Sequence, residues 1–257
     1  LTARSSRDKL DTISNDPWRA IVTGSGKNKT KATSVKPTKP GRVPRRIKAQ
    51  PVDMDVKTQP LQKRSRQTYE AILAAAGALL EEVGIEQLST NLVCKRAKLS
   101  PPALYRYFPN KYALLRELGA RLMQRQDEEV FDWMENGGLR AGDVEEIRQS
   151  ILVVQDRVNA ITMKEPGGRW IMRALRAVPT LHEVRIASRE LVAARMSEAL
   201  ARIFPKASPH KLLVAARLAT EVGYAAGEMA VDEPEHAEEL IDELAWMFAL
   251  YFERFRT

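Results

Sequence analysis

Apolar residues along this 257-residue chain recur mainly at spacings of three and four, and no convincing two-residue alternation interrupts them. From about Ser65, Ile72, Leu73, Ala76, Leu79, Leu80 and Val83 fall on one helical face, with Gly84 where a left-handed C-terminal residue would sit, predicting a first helix over 66–83. Leu88-Ser89-Thr90 then offers a hydroxyl cap for a short second helix carrying Leu92, Val93, Cys94 and Ala97. Residues 110–256 read as six further helices, at 110–134, 142–162, 167–177, 179–204, 208–230 and 234–255. The expected fold class is therefore all-α.

The stretch LSPPALYRYFPNKYALL, residues 99–115, sets two prolines ahead of helically spaced apolar positions. Ser100 is placed as the N-cap. Pro101 takes the first helical position and Pro102 stays within the first turn, where a missing N–H costs nothing, so the prolines start a helix. Leu104 and Phe108 point to one side and lock it onto the first two helices. Ala103, Arg106 and Tyr107 face away, Tyr105 lies on the flank, and Pro109 ends the helix at Phe108. Asn110 caps the next helix and puts Lys111 in its first turn, against the helix dipole unless an anion such as a DNA phosphate lies nearby.

Charge divides the chain. Residues 1–64 hold 16 Lys/Arg against 5 Asp/Glu, whereas the remainder holds 25 against 28. Residues 1–60 lack periodicity and are rich in Lys, Pro, Gly and Thr, a composition that buries too little surface to offset ordering entropy, so this segment is expected to be a basic, disordered extension. Three readings stand for it: non-specific attraction to DNA phosphates, a solvated tail without a specific role, or a start codon placed upstream of Met54, the first methionine. No run of about 18 apolar residues and no secretory signal pattern is present, which leads to the expectation of a cytoplasmic protein that does not enter membranes. One cysteine, Cys94, excludes an internal disulfide. Three scattered histidines, His182, His210 and His236, give no metal spacing, and no cofactor is expected.

The run ILAAAGALLEEVGIEQLSTNLVCKRAKLSPPALYRYFPNKYALL resembles the DNA-binding domain of the TetR family of bacterial transcriptional regulators, in the order apolar helix, Gly, capped helix, tight turn, then Leu-Tyr-x-Tyr-Phe-x-Asn-Lys. Two departures are Lys98, where many members place Gly in the turn, and the Pro101-Pro102 pair, where others have polar residues. The resemblance implies a helix-turn-helix domain at 61–115 and a helical ligand-binding and dimerisation domain at 116–257. It implies that Ser89, Thr90 and Asn91 lie against phosphates or base edges, that Ser100, Pro102 and Ala103 lie at the bases, that Tyr105, Tyr107 and Lys111 hold the backbone, and that Arg106 does either. Packing in the core is the competing role for the tyrosines.

For the helical domain the resemblance supplies architecture only. It implies double-stranded DNA as partner and a homodimer, whose two-fold symmetry calls for a palindromic operator. The small residues Ala216, Ala219, Gly223, Ala226 and Ala230 form a stripe open to close helix approach, and Ile241, Leu244, Phe248 and Tyr251 share a face of the last helix, with Trp246 and Leu250 on another. These nine stripe and face positions are the expected dimer interface. Phe131, Trp133, Met134, Met163, Trp170, Met172, Met196 and Tyr224 are candidates for lining a cavity for a small apolar or amphipathic effector, with Arg173 and His182 to orient a polar group; ordinary core is the alternative for each. The expected function is a dimeric, ligand-responsive repressor. The alternative is a DNA-bound architectural or adaptor protein whose helical domain recognises another protein. An enzyme is not expected, since no paired nucleophile and base and no phosphate-cradling Gly loop is visible.

Overall fold

A computed structural model describes residues 63–256; the expected disordered extension over residues 1–60 and the reading that places the start of the protein at Met54 lie outside the described residues. Among the described residues nine α-helices follow one another: α1 Lys63–Gln87, α2 Thr90–Ala97, α3 Pro101–Tyr105, α4 Lys111–Glu135, α5 Val144–Lys164, α6 Gly168–Ala177, α7 His182–Ile203, α8 Pro209–Asp232 and α9 Ala237–Glu253. Single 3₁₀ turns, Pro179–Leu181 and Pro234–His236, stand where the expected helices 179–204 and 234–255 begin. No strand occurs among the described residues, and none of their helices is long and apolar enough to cross a membrane.

Local chemistry accounts for the ends. The helix expected over 66–83 starts three residues earlier and runs on past a kink at Gly84, whose φ of 71° and ψ of −176° suit glycine alone. The α4 start is held by the Asn110 side chain, which accepts from the amides of Tyr112 and Ala113 at 2.9 and 3.0 Å. A full capping box opens α5: Asp143 accepts from the Glu146 amide at 2.9 Å, and the Glu146 carboxylate accepts from the Asp143 amide at 3.0 Å. α3 is shorter than expected. It ends at Tyr105, because the amides of Tyr107 and Phe108 both turn back to the Leu104 carbonyl and the chain is already leaving the helix before Pro109.

Ile72, Leu80, Leu88, Leu104, Phe108, Leu114 and Leu115 are fully buried, each contributing about 1.5–3 kcal/mol by leaving water. Their cluster also takes in Ile171, Met172, Ala174 and Leu175 of α6. The boundary expected between residues 115 and 116 falls inside the continuous helix α4, so the small front bundle and the larger helical body share a core. Two further clusters, around Leu200, Phe204, Leu212 and Phe252 and around Ala230, Ile241 and Leu244, tie α7, α8 and α9 together.

Candidate nucleic-acid interface and cavity

The α2–α3 corner is built by a left-handed turn. Lys98 has φ 54° and ψ 43°, the one non-glycine residue with positive φ among the described residues, and the Leu99 amide donates to the Cys94 carbonyl at 3.0 Å. That six-residue closure satisfies a carbonyl at the end of α2 and aims α3 away from it. The conformation is the one for which glycine is the usual residue, so Lys98 fits the turn geometry at a cost in backbone strain.

Around this corner the expected contact residues divide. Asn91, Ser100, Pro102, Tyr105 and Arg106 are exposed, while Ser89, Thr90, Ala103 and Lys111 are half-buried. Ser89 is spent in part as the α2 cap, accepting from the Leu92 amide at 3.3 Å. Thr90 Oγ1 and the Tyr105 hydroxyl lie 3.0 Å apart, which joins the start of α2 to α3 and fixes both polar groups on one surface. Ser100 sits at the N-cap position, but its side chain makes no cap hydrogen bond; Pro102 has no N–H to offer it, and the hydroxyl is left facing outward. Lys111 already has an internal acceptor, the Ile85 carbonyl beyond the Gly84 kink, at 3.3 Å. Its place in the first turn of α4 thus has a structural explanation that needs no external anion.

Tyr107 departs from the expectation that it faces away from the core. It is 3% exposed, and its ring meets Tyr69 edge-on at 5.7 Å between centroids, while Tyr69 also stacks on Phe108 at 4.9 Å. With α3 ending at Tyr105, the non-helical step to 107 turns this ring inward, and packing is its role. Arg106 stays outside, its guanidinium 5.9 Å from the Tyr107 ring.

The helical body encloses a cavity of about 130 Å³ between α4, α5, α6, α7, α8 and α9. Of the candidate lining residues, Trp133, Met172, Arg173, Met196 and Tyr224 border it. The other five do not. Phe131 lies under the Arg195 guanidinium, 3.9 Å from ring centre to Cζ, on an open groove; Met134 does not reach the cavity; Met163 is 65% exposed; Trp170 packs on Gly84; and His182 is exposed at the start of α7. Helical periodicity alone does not tell which way the wall of a bundle faces.

The cavity wall is chemically uneven. Trp133, Ile151, Val154, Leu200, Phe204 and Phe252 make it apolar, whereas Gln126, Asp127, Gln155, Asn159, Thr162 and Tyr224 add polar groups. These polar residues, apart from Tyr224, were missed from sequence because each sits singly within an ordinary amphipathic helix. Asp127 accepts from Ser188 Oγ at 2.6 Å, and that hydroxyl is also 2.6 Å from the Tyr224 hydroxyl. Burial pushes the Asp127 carboxyl up to about 6, against the opposing effect of the Ser188 bond. Burial also raises the Tyr224 hydroxyl, with the Asp127 charge adding to it.

Two helices belong to both regions: α4, with Leu114 and Leu115 in the front core and Gln126 and Trp133 in the cavity wall, and α6. α6 borders the cavity with Met172 and Arg173, while Trp170 packs on the Gly84 kink of α1. Just ahead of it, a side chain at Gly167, which has φ 74°, would stand 2.7 Å from Leu80 Cβ and 2.8 Å from the Gly77 carbonyl oxygen; one at Gly77 would stand 2.9 Å from the Pro166 oxygen. The two glycines let α1 and the α5–α6 turn touch backbone to backbone. Arg169 pairs with Glu81 at 3.7 Å across the same junction, and Arg125 of α4 pairs with Glu165 of the turn at 2.5 Å.

The expected dimer interface is largely consumed inside the chain. Ala216, Ala219, Ala230, Ile241 and Leu244 are buried in the intramolecular core, and Gly223, Ala226, Phe248 and Tyr251 are half-buried against neighbouring helices. The small stripe packs within the chain: Ala216 and Ala219 cluster with Ala193 and Leu200 of α7 and Phe252 of α9, and Ala230 with Ile241 and Leu244 of α9. The exposed apolar face lies elsewhere, on Val214, Leu218 and Met229 of α8 and Trp246, Met247 and Leu250 of α9.

Residues 72–118 match the family of bacterial regulatory proteins of the tetR type. The class G tetracycline repressor of Vibrio anguillarum is 39% identical over 67 residues, covering 24% of this chain and 32% of that protein. The class A tetracycline repressor from transposon 1721 of Escherichia coli is 33% identical over 101 residues, 37% of this chain and 45% of that one. The chain thus aligns with less than half the length of these curated relatives. In fold, GusR of Salmonella enterica superposes with a TM-score of 0.55 at 20% identity, over 76% of this chain and all of its own.

Proposed function

We propose that this chain, a TetR-family regulator by its helix-turn-helix domain, is a dimeric transcriptional repressor that reads a two-fold symmetric operator and leaves it when a small molecule fills the cavity. The observation that carries the reading is the position of α6, which lines the cavity on one side and seats on the reading domain on the other. In this account Ser100, Pro102, Ala103 and Arg106 meet base edges. Ser89, Thr90, Asn91 and Tyr105 hold the backbone, joined by Lys111 when its ammonium is drawn from the Ile85 carbonyl. A proline ring or the Ala103 methyl packs on a thymine methyl, and Arg106 grips guanine through two hydrogen bonds.

Dimerisation falls to the exposed apolar face of α8 and α9. Ion pairing at its margin, between Arg148 and Asp242, leaves the Arg148 guanidinium 5.0 Å from the Trp246 ring, a polar rim beside an apolar centre. A ligand acts only if it favours the conformation in which the two reading heads are wrongly spaced. Displacing Met172 or Arg173 would move Trp170 on the kink of α1, and so the head itself.

Selection of bound duplexes from a random library by the full chain tests the reading. A consensus with two inverted half-sites is expected. Recovery of sequences with no common pattern would overturn it.

A further inference from the structure

Among the polar groups of the cavity wall, one buried acceptor has no partner among the described residues. Gln126 is 3% exposed; its amide nitrogen donates to Thr162 Oγ1 at 2.6 Å, and its Oε1 has no partner among the described residues. The Thr162 hydroxyl lies 3.5 Å from the Val158 carbonyl, to which it donates, and accepts from the Gln126 amide nitrogen. Next along α4 is Asp127, 6% exposed, which has the Ser188 hydroxyl but pairs with no cation among the described residues.

The arginines nearest the cavity are already engaged. Arg185 holds Glu228 at 2.5 Å and Glu221 at 2.9 Å, Arg176 holds Glu228 at 2.9 Å, and Arg173 holds Asp232 at 2.7 Å. Of the other lining arginines, Arg169 pairs loosely with Glu81 at 3.7 Å, and Arg140, exposed on the α4–α5 connection, has no partner among the described residues. A buried carboxylate and a buried orphan acceptor on consecutive residues that both border the cavity call for a guest that donates hydrogen bonds and carries positive charge.

We propose that the cavity takes an apolar molecule ending in a protonated amine, its hydrocarbon body among Trp133, Ile151, Val154, Leu200, Phe204 and Phe252, and its ammonium on Gln126 Oε1 and the Asp127 carboxylate. This rests on the cavity being the effector site of the proposed repressor. A carboxylate-headed molecule finds the lining arginines Arg169 and Arg173 already paired with acids and brings its charge toward Asp127, and an alcohol satisfies Gln126 without offsetting the carboxylate.

Calorimetric titration of the full chain at neutral pH with hexylamine, hexanol and hexanoate separates these heads on one body that suits so small a cavity. Hexylamine should bind at least ten times more tightly than either of the others. Asp127→Asn should bring the amine-to-alcohol ratio to near one, and Gln126→Glu should keep or raise it. Equal or tighter binding of hexanol or hexanoate, no binding of the amine, or a ratio unchanged in Asp127→Asn would overturn the assignment. A parallel measurement on the selected operator keeps the two claims apart: release by hexanoate alone would leave the repressor reading standing without the amine, and tight, Asp127-dependent amine binding that leaves the operator bound would do the reverse.

Discussion

Lys98→Gly should stabilise the protein, against the usual effect of introducing glycine. Lys98 holds φ 54° and ψ 43° in the turn between α2 and α3, is exposed, and its own amide reaches back toward the end of α2. A left-handed backbone costs a residue with a Cβ about 1–2 kcal/mol, which glycine does not incur. Against that, glycine gives the unfolded chain extra freedom worth about 0.5–1 kcal/mol. The difference leaves a net gain of up to about 1.5 kcal/mol, or up to about 6 °C in melting temperature for a folded body of this size. Thermal melting and urea unfolding of Lys98→Gly, Lys98→Ala and Lys98→Val would measure it. Alanine should stay within about 0.5 kcal/mol of the parent, since it keeps the Cβ, and valine, stiff and branched, should fall below both. A glycine variant that melts lower than the parent, or an alanine variant that gains as much, would refute the assignment of strain to this turn.

Asp127→Asn should change the pH dependence of stability. Because the folded state holds the Asp127 carboxyl up to about 6, the native protein binds a proton that the unfolded chain has already lost, and stability falls as pH rises from about 4 to about 6. Two pH units correspond to about 3 kcal/mol, so the variant should gain up to that much on the parent above pH 6.5 and lose the advantage near pH 4; a constant difference across the range would argue against burial as the cause. Leu218→Glu, at the 51%-exposed centre of the α8 face, should shift sedimentation toward the monomer while leaving helicity unchanged, and an unchanged mass would move the interface elsewhere. Arg106→Ala should relax sequence preference by about 1–3 kcal/mol, whereas equal weakening on specific and random duplexes would assign it to phosphates. Tyr107→Phe should leave DNA affinity within twofold, and a larger loss in a folded variant would restore the hydroxyl to the contact set.

The front of the chain was legible because local rules and function coincide there. The Ser89 cap, the proline start of α3, the Asn110 cap and the glycine at 84 each act within a few residues, and the helix order follows from them. Tyr107 escaped because its direction depends on where α3 stops, a matter of two backbone amides choosing the Leu104 carbonyl. In the body, helix positions were readable to within a few residues, but the inward and outward faces were not. The small stripe on α8 reads as a surface for a second copy but is packed against α7 and α9 of the same chain, since a close helix approach carries the same spacing whether the neighbour is in the same chain or another. Likewise Gln126 and Asp127 carry no pattern of their own; only the fold brings them beside Thr162, Ser188 and Tyr224.

The most direct test of the central claim is the ratio of affinities of the full chain for its selected duplex and for a scrambled duplex of equal length, at physiological salt. Sequence reading through the α2–α3 corner predicts a ratio of about 10³ or more, with the salt dependence of the two affinities differing less than their magnitudes. A ratio near one, with both affinities falling steeply as salt rises, would mean that the chain holds DNA by charge alone and that the corner reads nothing.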